Sequence, residues 1–202
     1  MQLGLLSRAI QAYRAGQLGD AAVYKAAALS APAFPHVERL LKQMPRPFPR
    51  IELAALRSFG ISTFGHAYAR FMDVNSLKPL TVSASVEAAL APNNALAVRY
   101  AILHDAFHVL LGFDTSLPGE LGVWSFVAEQ RYSPTYQRAA AFARNLYPLV
   151  APSHISALRA ARLRGIALAH EVPCLIAQPI ENYWSEPLSV VRERLRIRCG
   201  VA

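Results

Sequence analysis

The chain has very few cysteines. Only Cys174 and Cys199 occur among its 202 residues, and neither belongs to a Cys-x-x-Cys pair. Two cysteines make no disulfide framework of the kind that stabilises small secreted domains. The composition therefore indicates a reducing compartment, and we expect a cytoplasmic protein.

Charged residues and long apolar runs are also scarce. Asp, Glu, Lys and Arg together make up 17% of the residues, where about 25% is usual, and the mean hydropathy is +0.22. No run of eighteen or more apolar residues occurs, which argues against a membrane-spanning helix. With 53% hydrophobic residues, a chain of this length can bury one sizeable core and needs no second domain.

What is abundant is positive charge. The net charge is +8, and residues 131–202 hold ten arginines against four acidic residues. Such an excess suggests an anionic partner. We favour an anionic membrane surface or ligand over nucleic acid, because no basic motif with interleaved aromatic residues is visible. A solvated basic face is the alternative.

Helical periodicity runs through the whole chain, without internal repeats. Asn93 and Asn94 are predicted to cap a helix at 93–111 that ends at Gly112, and the proline-rich segment 41–50 is predicted to be an extended linker. We expect an all-α protein, a single-domain helical bundle over residues 1–202 with an apolar cavity. The other predicted helices span 3–15, 19–29, 35–44, 62–74, 118–131, 134–148, 153–171 and 187–196.

One polar cluster interrupts the most apolar stretch, residues 95–111. His104-Asp105-Ala106-Phe107-His108 is followed after eleven residues by Glu120. On a helix, His104 and His108 lie one turn apart on the same face, and Asp105 flanks that face. Burying such groups without partners is unfavourable, and a divalent cation would satisfy them. We therefore predict a metal site with His104, Asp105, His108 and Glu120 as ligands.

Other interpretations of this cluster are open. The side chains could be core polar groups bonded to one another and to backbone carbonyls. An HD-type phosphohydrolase needs a further upstream histidine, a role open to His66, and a distant aspartate, but no aspartate follows Asp114. A zinc protease needs glutamate where this chain has Asp105. Nitrogen and carboxylate ligands suit zinc, iron or manganese, whereas magnesium needs further oxygen ligands, and the composition does not choose among zinc, iron and manganese.

The motif, written HDxxHx11E, resembles the signature of the coenzyme Q biosynthesis protein 4 family. Residues 63–72, TFGHAYARFM, resemble a TxGxxYAxFM helix of that family, and Trp184 to Arg192 resemble its W..PL..VR ending. Gly112-Phe113 and Pro118-Gly119-Glu120 match the family's loop between HDxxH and the glutamate. The resemblance covers residues 60–198, whereas residues 1–50 depart from the family pattern, and Ser62 replaces an expected glycine. The chain resembles a divergent, bacterial member.

The resemblance implies a metal-binding, all-helical protein of ubiquinone biosynthesis. Members associate with membranes, tend to dimerise and have a cavity suited to a polyprenyl lipid. We therefore expect a homodimer, peripherally associated with the inner membrane, that acts on a prenylated hydroxybenzoate-type intermediate, with oxidative decarboxylation of the ring as the implied reaction. The alternative is a non-catalytic isoprenoid- or quinone-lipid binding protein, or a scaffold for other quinone-biosynthesis proteins.

Residues near the motif are assigned on the same basis. Ligating histidines usually donate their second N–H to a supporting group, and His66 and Tyr68 are candidates for positions near the ligands or the substrate. Catalytic residues are left unassigned. Five apolar side chains are predicted to line the lipid cavity, with core packing as the alternative: Leu103, Phe107, Leu111, Trp124 and Phe126.

Overall fold

The computed structural model describes residues 2–29, 31–45 and 48–198. Within these ranges the chain forms helices and no strand, apart from one isolated bridge between Thr63 and Pro187. The predicted all-α class is confirmed. The α-helices are α1 (Leu3–Arg14), α2 (Leu18–Ala28), α3 (Pro35–Lys42), α4 (Leu53–Arg57), α5 (Phe64–Val74), α6 (Ala84–Leu111), α7 (Leu117–Glu129), α8 (Pro134–Val150), α9 (Ile155–Glu171) and α10 (Leu188–Arg194). Short 3-10 helices span Pro152–His154, Leu175–Ala177 and Ile180–Tyr183.

Helix α6 is longer than predicted. It begins at Ala84, where the Ser83 hydroxyl accepts a hydrogen bond from the Val86 N–H at 3.4 Å. The predicted start at Asn93 and Asn94 is instead a kink, because Asn94 has non-helical angles (φ −138°, ψ 33°). Pro92 explains the kink, since it lacks an N–H and its ring disturbs the preceding turn. The half of α6 that follows the kink corresponds to the predicted helix.

Most other helix boundaries lie within a few residues of the predicted ones. The sequence analysis did not predict α4 or the 3-10 turns after α9. The five-residue helix α4 is too short to show periodicity, and the 3-10 turns after α9 carry no sequence pattern that we identified. The described part of the 41–50 segment is non-helical beyond Lys42. Pro47 in that segment and Cys199 lie outside the described residues, whereas Cys174 is a free, half-buried thiol.

The core surrounds α6. Leu103, Phe107 and Leu110 on α6 are fully buried, together with Phe64 on α5 and Phe126 on α7. The aromatic rings of Phe107 and Phe126 meet edge to face, with centroids 6.4 Å apart. This contact joins α7 to α6, and the burial of α6 on several sides explains why its sequence is apolar all round.

The segment after α9 holds the N-terminus of α5. Trp184 stacks on Phe64 with ring centroids 4.4 Å apart, and its carbonyl accepts the Gly65 N–H at 2.8 Å. The Glu186 carbonyl accepts the Phe64 N–H, also at 2.8 Å. Two of the N–H groups that the first turn of a helix leaves unpaired are thereby satisfied. Among the helices of the described residues, none combines the length and hydropathy that a membrane span needs.

Candidate metal centre

The candidate site lies where α6 ends and α7 begins. Gly112 adopts the left-handed conformation (φ 69°, ψ 39°) and ends α6, and its N–H donates to the His108 carbonyl. Four residues later the Ser116 hydroxyl caps α7 by accepting the Gly119 N–H at 3.3 Å. Because this connection is short, Glu120 in the first turn of α7 faces the last two turns of α6.

This arrangement brings three of the predicted ligands together. The His108 Nε2 lies 3.3 Å from one carboxylate oxygen of Glu120, and the His104 Nε2 lies 3.6 Å from the other. One ligand atom from each of the three residues lies within 4.8 Å of the other two. Glu120 reaches both histidines because α7 begins just after the loop, so its first turn is level with the end of α6.

Both imidazoles direct Nε2 toward Glu120 because Nδ1 has a partner elsewhere. The His108 Nδ1 lies 2.9 Å from the Asp114 carbonyl, to which it donates as N–H. The His104 Nδ1 lies 3.3 Å from a carboxylate oxygen of Asp105. With Nδ1 protonated, Nε2 carries the lone pair that binds metal. The His108 Nε2 is buried without a hydrogen-bond partner, so its lone pair is available to bind a cation.

Asp105 contacts His104 from the side away from Glu120, and its role as a metal ligand stays a prediction. It lies beside the outer nitrogen of His104, and the converging ligand atoms come from His104, His108 and Glu120. The reason is helical geometry, because successive residues point about 100° apart around a helix. Asp105 therefore orients the ring of His104 and stabilises its tautomer.

The charges of the site act on each other's pKa. Burial lowers the pKa of His104, but its contacts with Asp105 and Glu120 outweigh burial and raise that pKa to about 9. Burial raises the pKa of Glu120, but its contacts with His104 and His108 outweigh burial and lower that pKa to about 2. At neutral pH Glu120 is therefore ionised and His104 is protonated, so a binding metal ion displaces a proton from His104.

The loop after α6 is packed tightly against α7. A Cβ atom at Gly119 would stand 2.1 Å from the backbone oxygen of Asp114. Only glycine therefore allows α7 to approach the carbonyl that holds His108. The aromatic ring of Phe71 on α5 packs on His108 from another side, with centroids 5.8 Å apart. Backbone and side-chain packing together hold the candidate ligands His108 and Glu120 in place.

A mainly apolar pocket of about 330 Å³ opens beside the site. His104 and Asp105 line it together with Tyr100 from α6 and Trp124 from α7. Six alanines leave the space that larger side chains would fill: Ala22, Ala26, Ala31, Ala97, Ala101 and Ala139.

The five predicted cavity residues divide into two groups. Trp124 lines the pocket beside His104. The other four are fully buried in the core around α6 and are not among the residues that line this pocket: Leu103, Phe107, Leu111 and Phe126. They lie on the faces of α6 and α7 that pack against other helices, because an apolar residue on an all-apolar helix can face any of its neighbours.

The two predicted supporting residues lie on α5. The Tyr68 hydroxyl is buried without a hydrogen-bond partner, and burial, followed by the charge of Asp105, raises the Tyr68 pKa above its usual range. The Nδ1 of His66 is also buried and unpartnered, whereas the His66 backbone N–H donates to the Thr63 cap at 3.2 Å. Supporting roles for His66 and Tyr68 stay predictions.

Several residues around the site were missed by the sequence analysis. Asp114 contributes a backbone carbonyl, which no side-chain motif reveals. Arg164 on α9 and Arg192 on α10 donate hydrogen bonds to carbonyls at the end of α6, although both helices follow much later in the sequence. Tyr100 was detectable, because it lies four residues before His104 and so on the same face of α6.

Comparisons with known proteins identify the family of this chain. Residues 33–199 match the sequence model of the family described as Coenzyme Q (ubiquinone) biosynthesis protein Coq4. The match begins within the N-terminal fifty residues, which the motifs above did not cover.

The mitochondrial ubiquinone biosynthesis protein COQ4 homologue of Bos taurus is 30% identical over 169 residues, which are 81% of this chain and 61% of that protein. The Homo sapiens homologue is 30% identical over 173 residues, with the same shares. The chain thus spans about three-fifths of the length of these relatives. A crystallised Nostoc punctiforme protein named for ubiquinone biosynthesis superposes with a TM-score of 0.63 at 26% identity, covering 97% of this chain and 94% of that one. The chain belongs to the Coq4 family.

Proposed function

We propose that this protein binds a divalent metal ion through His104, His108 and Glu120 and acts in ubiquinone biosynthesis on a prenylated, hydroxybenzoate-type aromatic intermediate. The convergence of three ligand atoms, with the outer nitrogens of both histidines already engaged, supports the metal site. Three protein ligands with an open position are typical of catalytic zinc sites. Zinc is the first choice, and iron, manganese or magnesium are the alternatives.

Each residue then has a defined task. When bound, the metal ion would act as a Lewis acid on a carboxylate or phenolate oxygen of the ring. His104 and His108 hold the ion, and Glu120 neutralises part of its charge. Asp105 and the Asp114 carbonyl keep the two imidazoles in the correct tautomer. The apolar pocket beside His104 excludes water and accepts the ring and the beginning of its prenyl chain.

The metal site is tested by elemental analysis of the purified protein beside His108→Ala. We expect about one equivalent of zinc, iron or manganese in the native protein and none in the variant. His154→Ala, which changes an exposed histidine at the start of α9, should keep the metal. Equal metal content in the native protein and His108→Ala would overturn the site.

The reaction is tested with a prenylated 4-hydroxybenzoate labelled at the ring carboxylate. Oxidative decarboxylation releases labelled carbon dioxide and requires an oxidant, so the assay runs in air and under argon. We expect release in proportion to protein, lost in His108→Ala and retained in His154→Ala. Turnover by a variant that holds no metal would contradict a metal-dependent reaction.

A second candidate function is a lipid carrier or scaffold without turnover. The pocket supports it, because its lining is mostly apolar and would hold an isoprenoid whether or not chemistry follows. Under this hypothesis the metal ion fixes the head group of the ligand. Stoichiometric lipid binding without labelled carbon dioxide would favour the carrier over the enzyme.

We further propose a peripheral position at the inner membrane on its cytoplasmic side. The net charge of +8 supports attraction to anionic lipids, and Phe142, Leu149 and Ile155 around the α8–α9 junction expose apolar side chains. Co-sedimentation with phosphatidylglycerol vesicles but not with phosphatidylcholine vesicles is the expected result, and no binding to either would refute it. Homodimerisation and contacts with other quinone-biosynthesis proteins rest on the family resemblance, and analytical ultracentrifugation tests the dimer.

A further inference from the structure

Tyr100 is one of the residues with a polar group that line the pocket outside the proposed metal ligands, together with Lys25, Thr135 and Tyr136. Tyr100 lies one turn before His104 on α6, and the two rings meet edge to face with centroids 5.4 Å apart. The residue lines the pocket, yet only 7% of its surface is exposed. Its hydroxyl oxygen is buried and has no hydrogen-bond partner.

The ring of Tyr100 is held firmly by other aromatic side chains. The ring centroid of Tyr136 lies 5.1 Å away, that of Phe107 lies 5.9 Å away, and that of Trp124 lies 6.2 Å away. Packing of this kind leaves the hydroxyl little freedom to turn toward a partner elsewhere in the protein. The ring would pack equally well as phenylalanine, so the buried hydroxyl is unfavourable for folding unless something else pairs with it.

The chemistry of the pocket indicates what that partner is. A tyrosine hydroxyl is protonated at neutral pH and donates to oxygen acceptors. A ligand that reaches the metal site through this pocket brings an acceptor oxygen to within about one helical turn of His104. Tyr136 and Trp124 offer aromatic surfaces for a flat ring. The volume of about 330 Å³ is at the lower end for small-molecule pockets, which suits a ring with a short part of its tail.

We propose that the Tyr100 hydroxyl donates a hydrogen bond to a carboxylate or phenolate oxygen on the aromatic ring of the ligand, and that it selects ligands with an oxygen at this position. The proposal rests on the proposed function, since it assumes that the ring binds beside a metal ion held by His104. It adds a ligand-contacting residue outside the HDxxHx11E motif and defines which end of the ligand the pocket recognises.

The test compares the zinc-loaded native protein with Tyr100→Phe. The probe is 4-hydroxybenzoate with one five-carbon prenyl group, and its affinity is measured by isothermal titration calorimetry. We expect the variant to keep its zinc content and to bind the probe about tenfold more weakly, because one hydrogen bond is lost. We also expect its Tm to rise by about 2–4 °C, because an unpaired buried hydroxyl is removed.

Tyr132→Phe is the matched control. The hydroxyl of this fully buried tyrosine donates to Gln130 at 2.7 Å and accepts the Ile176 N–H at 3.0 Å. Its removal should lower the Tm and leave probe affinity unchanged. The opposite signs of the two Tm shifts distinguish a hydroxyl that hydrogen-bonds to a ligand from one that hydrogen-bonds within the protein.

Two further probes identify the oxygen, and the outcomes separate this inference from the proposed function. One probe lacks the phenol group and the other lacks the carboxylate. A probe that binds the native protein and Tyr100→Phe equally lacks the contacted oxygen. Equal affinity of both proteins for the complete probe overturns the Tyr100 proposal alone. If the native protein takes up no metal, the metal site is refuted. If it holds zinc but does not bind the probe, both the proposed ligand and the Tyr100 contact are overturned.

Discussion

At the scale of single residues, His104 and Glu120 form an ion pair whose two partners titrate in opposite directions. The pKa of His104 is about 9, above its ordinary 6.5, so its contribution to stability is complete below 6.5 and is lost as the pH rises through 9. The pKa of Glu120 is about 2, below its ordinary 4.5, so its contribution is present above 4.5 and is lost as the pH falls through 2.

The metal-free protein should therefore be most stable between pH 4.5 and 6.5 as far as this pair is concerned. We expect its free energy of unfolding, measured by urea denaturation after chelation, to fall by on the order of 2 kcal/mol between about pH 6 and pH 10. His104→Gln should remove most of this fall. An unchanged pH dependence in that variant would show that another group titrates.

At the scale of helices, two arginines hold the C-terminus of α6. Arg192 on α10 donates to the carbonyls of Leu110 at 2.9 Å and Val109 at 2.8 Å. Arg164 on α9 donates to the carbonyls of Leu111 and Gly112, the latter at 3.1 Å. Carbonyls at a helix end have no partner within the helix, and cations there also interact favourably with the helix dipole. The end of α6, which carries the candidate ligands His104 and His108, is thus stabilised from two neighbouring helices.

We expect Arg192→Ala to destabilise the protein by about 2 kcal/mol, because two hydrogen bonds from a charged donor to carbonyls at the end of α6 are lost. Metal affinity should fall as well. The loop that carries the Asp114 carbonyl directly follows the end of α6, and this carbonyl orients the ring of His108. Urea unfolding and zinc titration measure the two effects. Arg57→Ala is the control, because Arg57 forms an exposed ion pair with Asp73 at 2.6 Å, and its loss should cost less than about 1 kcal/mol. Equal losses in both variants would contradict a special role for Arg192.

At the scale of the whole molecule, one buried ion pair joins α6 to the segment after α9. Arg99 is fully buried and donates to both carboxylate oxygens of Glu181, at 3.0 and 2.8 Å. It also donates to the carbonyls of Ile176 at 2.6 Å and Gln178 at 2.7 Å. The same segment packs Trp184 on α5, so the pair connects three parts of the fold.

Removing the carboxylate of Glu181 leaves the buried positive charge of Arg99 without its ion-pair partner. We expect Glu181→Ala to lower the free energy of unfolding by about 3–5 kcal/mol, as measured by urea denaturation. The double variant Arg99→Met with Glu181→Leu should recover much of this loss, because apolar side chains of similar volume need no partner. A loss below about 1 kcal/mol in Glu181→Ala would mean that water or another group replaces the carboxylate.

The sequence predicted the positions of some site residues and not of others. The spacing of His104 and His108 predicted one helical face, and Glu120 was placed in the next helix because Pro118 can occupy the first turn of that helix. Asp105 was assigned to the ligands because it flanks the helical face of His104 and His108, and the structure places it beside the outer nitrogen of His104. Leu103 and Phe107 could have lain either in the core or in the wall of a cavity. Helical periodicity shows that a face is apolar, but it does not show whether that face packs in the core or lines a cavity.

The amino-acid sequence by itself determined the all-α class, most helix boundaries and the shared helical face of His104 and His108, because these depend on local periodicity, capping and spacing along one helix. The tertiary structure alone decided which groups meet across helices. It brought the Asp114 carbonyl to His108, Glu120 to both imidazoles, and Tyr100 to the pocket. Such contacts depend on the packing angles of α5, α6 and α7, which the sequence pattern of no single helix specifies.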